Sequence, residues 1–134
     1  MLSPTVDAVR LTLHVLAATV WVGGQIVLLG LLPTLRQIGG DAPARVARAF
    51  ARVAWPAFGV LLITGFWNLA VVHPSQQDTA WQVVLGVKLF VVVLSGVAVA
   101  LHARASSRRA SALWGSIAGV SSIAALTMGI FLSA

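Results

Sequence analysis

Apolar residues occupy four long stretches of the chain, separated by three short polar segments. A helix needs about 20 apolar residues to cross roughly 30 Å of hydrocarbon, whereas a barrel strand needs only about ten. The pattern therefore predicts an all-α integral membrane protein, a four-helix bundle that forms a single domain over residues 1–134. The predicted helices run over residues 8–32, 43–72, 80–103 and 111–134.

Turn-forming residues mark the expected ends of these helices. Pro33 and the pair Gly39–Gly40 are predicted to end the first helix, and Asp41 suits the N-cap of the second. The dipeptide His73–Pro74 is predicted to stop the second helix, because a proline disfavours helical geometry in the residue before it. The loops are too short to hold a soluble domain.

Charged residues make up 9% of the chain and hydrophobic residues 59%, whereas a soluble domain carries about 25% charge. The composition excludes an ordinary soluble enzyme, and the lack of cysteine excludes thiolate metal sites and cysteine nucleophiles. The net charge of +6 is attributed to the basic residues that orient a membrane protein, so no nucleic-acid partner is expected.

Seven of the nine basic residues lie in the first and third loops. The positive-inside rule places these loops in the cytoplasm and both termini outside, in the cell membrane of a bacterium. The amphipathic stretch that precedes the second apolar run is interpreted as a helix lying on anionic lipid. The seven residues are Arg36, Arg45, Arg48, Arg52, Arg104, Arg108 and Arg109.

Ionisable side chains within the spanning helices carry the functional signal, because they are costly in lipid. On the first helix His14, Trp21 and Gln25 share one face at 100° per residue. On the third helix a polar stripe recurs every seven residues and must face the bundle interior or a polar cavity. This stripe consists of Trp81, Lys88, Ser95 and His102.

We expect His14, Asn68 and Lys88 to lie at similar depth in the outer half of the bundle, with His73 above them. Imidazole suits copper, zinc and haem iron, and haem also needs apolar walls, small residues and a cation. The plainer alternatives are that His14 hydrogen-bonds a neighbouring helix and that Lys88 extends to the surface. The candidate cofactor-binding residues are His14, Trp21, Gly24, Gln25, Asn68 and Lys88, and the candidate metal ligands are His14 and His73.

The segment from His14 to Gly24, His-Val-Leu-Ala-Ala-Thr-Val-Trp-Val-Gly-Gly, resembles the first-helix signature of the copper-resistance protein D (CopD) domain family. It is also similar to the first helix of the HemJ family of membrane protoporphyrinogen oxidases. The stretch that leads from Arg48 to Thr64 and Gly65 is similar to the second CopD segment, and Lys88–Leu89 in the third helix, followed by a basic loop, is similar to both families.

The resemblance to CopD implies membrane copper handling. The resemblance to HemJ implies haem-associated oxidation of a porphyrinogen, with His14 and Lys88 as the functional pair. We therefore expect a membrane protein that binds haem b or a copper ion in a redox or metal-handling role, with Lys88 as the candidate catalytic residue.

Two alternatives stay open, namely a copper transport or uptake component without haem, and a non-catalytic membrane subunit that packs through small residues. The sequence also leaves open whether the partner is a porphyrin, a quinone or another electron carrier, and whether the chain forms a homo-oligomer.

Overall fold

The computed structural model describes residues 4–133, which form long helices and no strand. Each of four helices is long and apolar enough to cross a membrane. The predicted all-α fold with four membrane-length helices is therefore confirmed, although the predicted helix end at Ala134 lies outside the described residues. We number the helices α1 (Pro4–Ile38), α2 (Ala42–Val72), α3 (Thr79–Arg104) and α4 (Arg108–Ser133).

The chain divides between Val72 and His73 into two compact units. Helices α1 and α2 pack together as hairpin one, and helices α3 and α4 pack together as hairpin two. The turn at residues 39–41 defines the closed end of hairpin one, whereas Pro4 and Val72 lie at its open end. His73 adopts a left-handed conformation with a φ of 54°, which ends α2 where the sequence predicts.

Pro33 does not end the first helix, because α1 continues through it to Ile38. The prediction was wrong because a proline removes only one backbone hydrogen bond, and membrane helices tolerate that loss. The break comes instead at Gly39 and Gly40, whose φ values of 80° and 58° suit glycine. Helix α2 begins directly after Asp41, as expected.

Helix α2 is one continuous helix of 31 residues. At 1.5 Å per residue it is ~46 Å long, which exceeds the roughly 30 Å of hydrocarbon. The arginine-rich residues 45–52 are therefore an extension of the spanning helix. The interpretation of this stretch as a helix lying on the lipid surface is wrong, because α2 runs from it into the spanning part without a break.

Hairpin two closes on small side chains, which let the helix backbones approach each other closely. Ser122 of α4 is 1% exposed and Ser95 of α3 is 2% exposed. The other buried residues of this seam are Gly96, Ala98, Ala118 and Ser121.

Hairpin one closes on large aromatic rings instead. Trp21 of α1 is 3% exposed, and its ring centroid lies 4.5 Å from Phe58 and 5.3 Å from Trp55, both on α2. We call these three rings the aromatic cluster. Close ring contacts of this kind supply packing energy that small residues cannot supply.

Large apolar side chains are exposed along all four helices, among them Leu29, Phe66, Phe90 and Phe131. A soluble monomer rarely exposes so much contiguous apolar surface, whereas a chain in contact with lipid does. The outward surface therefore fits a bilayer environment.

Candidate functional site

His14 of α1 is held by a hydroxyl group of α2. Its Nδ1 lies 2.7 Å from Oγ1 of Thr64, a residue that is 2% exposed. The Thr64 hydroxyl donates its single hydrogen to the carbonyl of Val60 at 2.7 Å. We therefore assign the proton to Nδ1 of His14, which donates to Thr64 and leaves the ring lone pair on Nε2.

One helical turn nearer the open end, Arg10 connects the same two helices. Its Nη1 donates to Oδ1 of Asn68 at 2.6 Å, and its Nη2 forms a salt bridge with Oδ1 of Asp7 at 3.0 Å. Arg10 is 6% exposed, and its Nε is a buried donor without a partner among residues 4–133. We call Asp7, Arg10, His14, Thr64 and Asn68 the polar seam of hairpin one.

After His14, towards the closed end of hairpin one, helix α1 widens into a π-helical turn at Thr19–Gly23. Such turns are rare and occur frequently at functional sites. The side-chain amide of Gln25 donates to the carbonyl of Trp21 at 2.8 Å. Gln25, a predicted site residue, thus supports the backbone around Trp21, whose ring belongs to the aromatic cluster.

Gly24 follows this turn and gives space to an aromatic ring. A Cβ atom on Gly24 would overlap the ring of Phe50 from α2. The sequence predicts that this glycine admits a neighbouring helix or a flat ligand. In the structure the group that lies against it is Phe50.

We expect Gly24→Ala to lower the free energy of unfolding by about 1–3 kcal/mol, since the Phe50 ring must move. Detergent-solubilised protein is unfolded with SDS and the midpoint is measured. Gly30→Ala is the matched control, because a Cβ there has nothing within 4 Å. Equal midpoints for the two variants would show that the Phe50 ring can move aside without lowering the free energy of unfolding.

In hairpin two, the polar stripe of α3 lies against α4. The Nζ of Lys88 is 3.3 Å from the position of a Cβ on Gly129. Trp81 donates from Nε1 to the carbonyl of Leu132 at 3.2 Å. His102 donates from Nδ1 to the carbonyl of Ser111 at 2.7 Å. The seven-residue spacing therefore identified a true helix face.

The structure brings some of the predicted site residues together and leaves others apart. His14 and Asn68 both belong to the polar seam. Lys88 and His73 lie in the second unit, so their place beside His14 stays a prediction. Among residues 4–133, no three His, Asp or Glu side chains form a group that could hold a metal ion.

Fold and site together define a multi-pass helical membrane protein whose first hairpin holds a polar seam, in which Arg10 and Thr64 are buried. A comparison of the chain with protein-family models, with curated proteins and with solved structures finds no match. Its function is therefore inferred from the site and from the residue patterns of the sequence.

Proposed function

We propose that the protein is a haem b-binding membrane protein of the CopD/HemJ type with a redox role, in which His14 is an axial ligand. The hydrogen bond between His14 and Thr64 carries this proposal. A ligating histidine almost always donates its other ring N–H to an oxygen, which fixes the tautomer and the ring plane. Thr64 is placed to accept that hydrogen bond, and Nε2 is then the ligating atom.

The donor set favours haem over a bare copper ion. Haem iron needs only one or two protein ligands, and a single imidazole is a common one. A copper or zinc ion held by protein alone needs a cluster of ligands, whereas hairpin one contributes a single histidine, His14. Bound haem would supply one-electron chemistry at the site.

The remaining residues of the proposal orient and enclose the group. Trp21 would give an apolar wall, and Asn68 would line the site. Lys88 would pair with a propionate or act as the second ligand when neutral, with His73 as the other candidate ligand. Arg10 is a further cation one helical turn from His14, and its buried Nε is an unused donor in the described part of the chain.

We also propose an orientation in the membrane. The helix segments that flank the loops between α1 and α2 and between α3 and α4 carry seven arginines, so these two ends would face the cytoplasm of a bacterial cell. Both termini would then lie outside, and the polar seam at the open end of hairpin one would lie in the outer half of the membrane.

The absorption spectrum of the protein purified in mild detergent tests the haem proposal. We expect a Soret band that is lost in His14→Ala. Thr64→Val, which replaces the hydroxyl with a methyl group of similar size, should weaken haem affinity about 10–100-fold. His102→Ala is the matched control and should keep the band, because His102 is engaged with Ser111 in hairpin two.

Two other results would replace the proposal. A colourless protein that binds copper stoichiometrically, and loses it in His14→Ala, would favour the copper transport or uptake function. A protein that binds neither group, with His14→Ala as stable as the parent chain, would leave the non-catalytic packing subunit.

A further inference from the structure

A groove lies at the closed end of hairpin one, at the opposite end of α1 and α2 from the polar seam. It has a volume of about 540 Å³ and runs between the end of α1 and the start of α2. Both apolar residues and arginines line it. We call the apolar lining residues Leu35, Ile38 and Val46 the floor of the groove, and Arg45, Arg48 and Arg52 its rim.

The three rim arginines share one helix face, because they are spaced by three and four residues. All three are exposed, and among the described residues none of them forms an ion pair. Like charges at these spacings repel each other. Within residues 4–133 no acidic side chain lines the groove to offset them, so the rim fits an anion.

The length of α2 places this rim at the depth of the lipid headgroups. The apolar run 54–72 has 19 residues and, at about 1.5 Å per residue, fills roughly 28 Å of hydrocarbon. Arg52 then lies at the edge of the hydrocarbon. Arg48 and Arg45 follow within ~6 and ~10 Å of it, inside the headgroup layer.

We propose that this groove is a binding site for an anionic phospholipid. The phosphate would be held by the arginines, whose guanidinium groups can donate two parallel hydrogen bonds to phosphate oxygens. An acyl chain would lie on the floor formed by Leu35, Ile38 and Val46. A basic groove with an apolar floor suits this amphiphile better than a free ion, which would leave the floor unused.

The test is a thermal-shift titration of the detergent-solubilised protein with defined lipids. Phosphatidylglycerol should stabilise the protein, whereas zwitterionic phosphatidylcholine and inorganic phosphate should not. The triple variant Arg45→Gln, Arg48→Gln, Arg52→Gln should bind phosphatidylglycerol about a hundredfold more weakly, because three arginines no longer attract the phosphate. The matched control is the triple variant Arg104→Gln, Arg108→Gln, Arg109→Gln, which removes the same charge at the turn between α3 and α4. It should keep the affinity for phosphatidylglycerol.

A second variant tests the floor without changing the charge. Val46→Trp should fill the groove and weaken phosphatidylglycerol binding while the three arginines remain. Equal stabilisation by inorganic phosphate would overturn the proposal in favour of a simple anion site. Equal losses in the two triple variants would overturn it in favour of non-specific attraction by net charge, as would unchanged binding in the rim variant.

Discussion

Replacing Arg10 by methionine should lower the free energy of unfolding by about 3 kcal/mol. Removing one partner from a buried charged pair costs about 3–5 kcal/mol, because the other partner stays unpaired. The value lies at the low end because the Asp7 side chain is 34% exposed and regains some solvation. Asn68 also loses the hydrogen bond that it accepts from Nη1 of Arg10 across the hairpin. The fraction unfolded in SDS, followed by tryptophan fluorescence, gives the midpoint.

The double variant Arg10→Met, Asp7→Asn separates pairing from packing. It removes both charges, so it should recover part of the stability lost in Arg10→Met alone. Arg10→Lys should rescue little, because one ammonium group cannot reproduce the fork that reaches both Asp7 and Asn68. If Arg10→Met is as stable as the parent chain, Arg10 extends to the surface and the seam does not clamp α1 to α2.

The membrane helices could be predicted from the sequence because lipid leaves few choices. Backbone groups must be satisfied within each spanning segment, so a long apolar run is a helix. Helix ends are less determined by the sequence, as Pro33 shows. Helix α1 continues past Pro33 through the mixed polar and apolar residues 34–38, and it ends only at Gly39 and Gly40, which adopt positive φ values.

The polar seam is only half visible in the sequence. Arg10 and His14 are four residues apart on α1, and Thr64 and Asn68 are four apart on α2. Two antiparallel helices joined by a short turn place such pairs opposite each other, and this is the signal that could have paired them. In the sequence Arg10 is one basic residue near a helix end, and its burial could not be predicted, since burial of a side chain is not visible in a single sequence.

Other features of the site carry no readable signal. The π-helical turn around Trp21 has the sequence Thr-Val-Trp-Val-Gly. Ordinary α-helices contain the same residue types, so nothing in this segment predicts the wider turn. The ring that covers Gly24 could not be named either, because it depends on how α2 is rotated. Spacing predicts which residues share a face, as with Lys88 and His102, but it does not predict which group that face meets.

The aromatic cluster leads to the second large effect, in the variant Trp21→Ala. Lipid is as apolar as the rings, so moving the rings from lipid to the helix interface gains little hydrophobic free energy. The rings therefore associate through close packing. Trp21 is 3% exposed and packs against Phe58 and Trp55, so its truncation leaves a cavity in the middle of hairpin one. We expect the free energy of unfolding to fall by about 3–5 kcal/mol.

Phe66→Ala is the matched truncation, because Phe66 is 68% exposed on the same hairpin. It should shift the SDS midpoint little, and Trp21→Phe should fall between Trp21→Ala and the parent chain, since a ring remains against Phe58. A loss in Phe66→Ala as large as that in Trp21→Ala would mean that any aromatic ring in contact with lipid stabilises this chain. The aromatic cluster would then have no special part in joining α1 to α2.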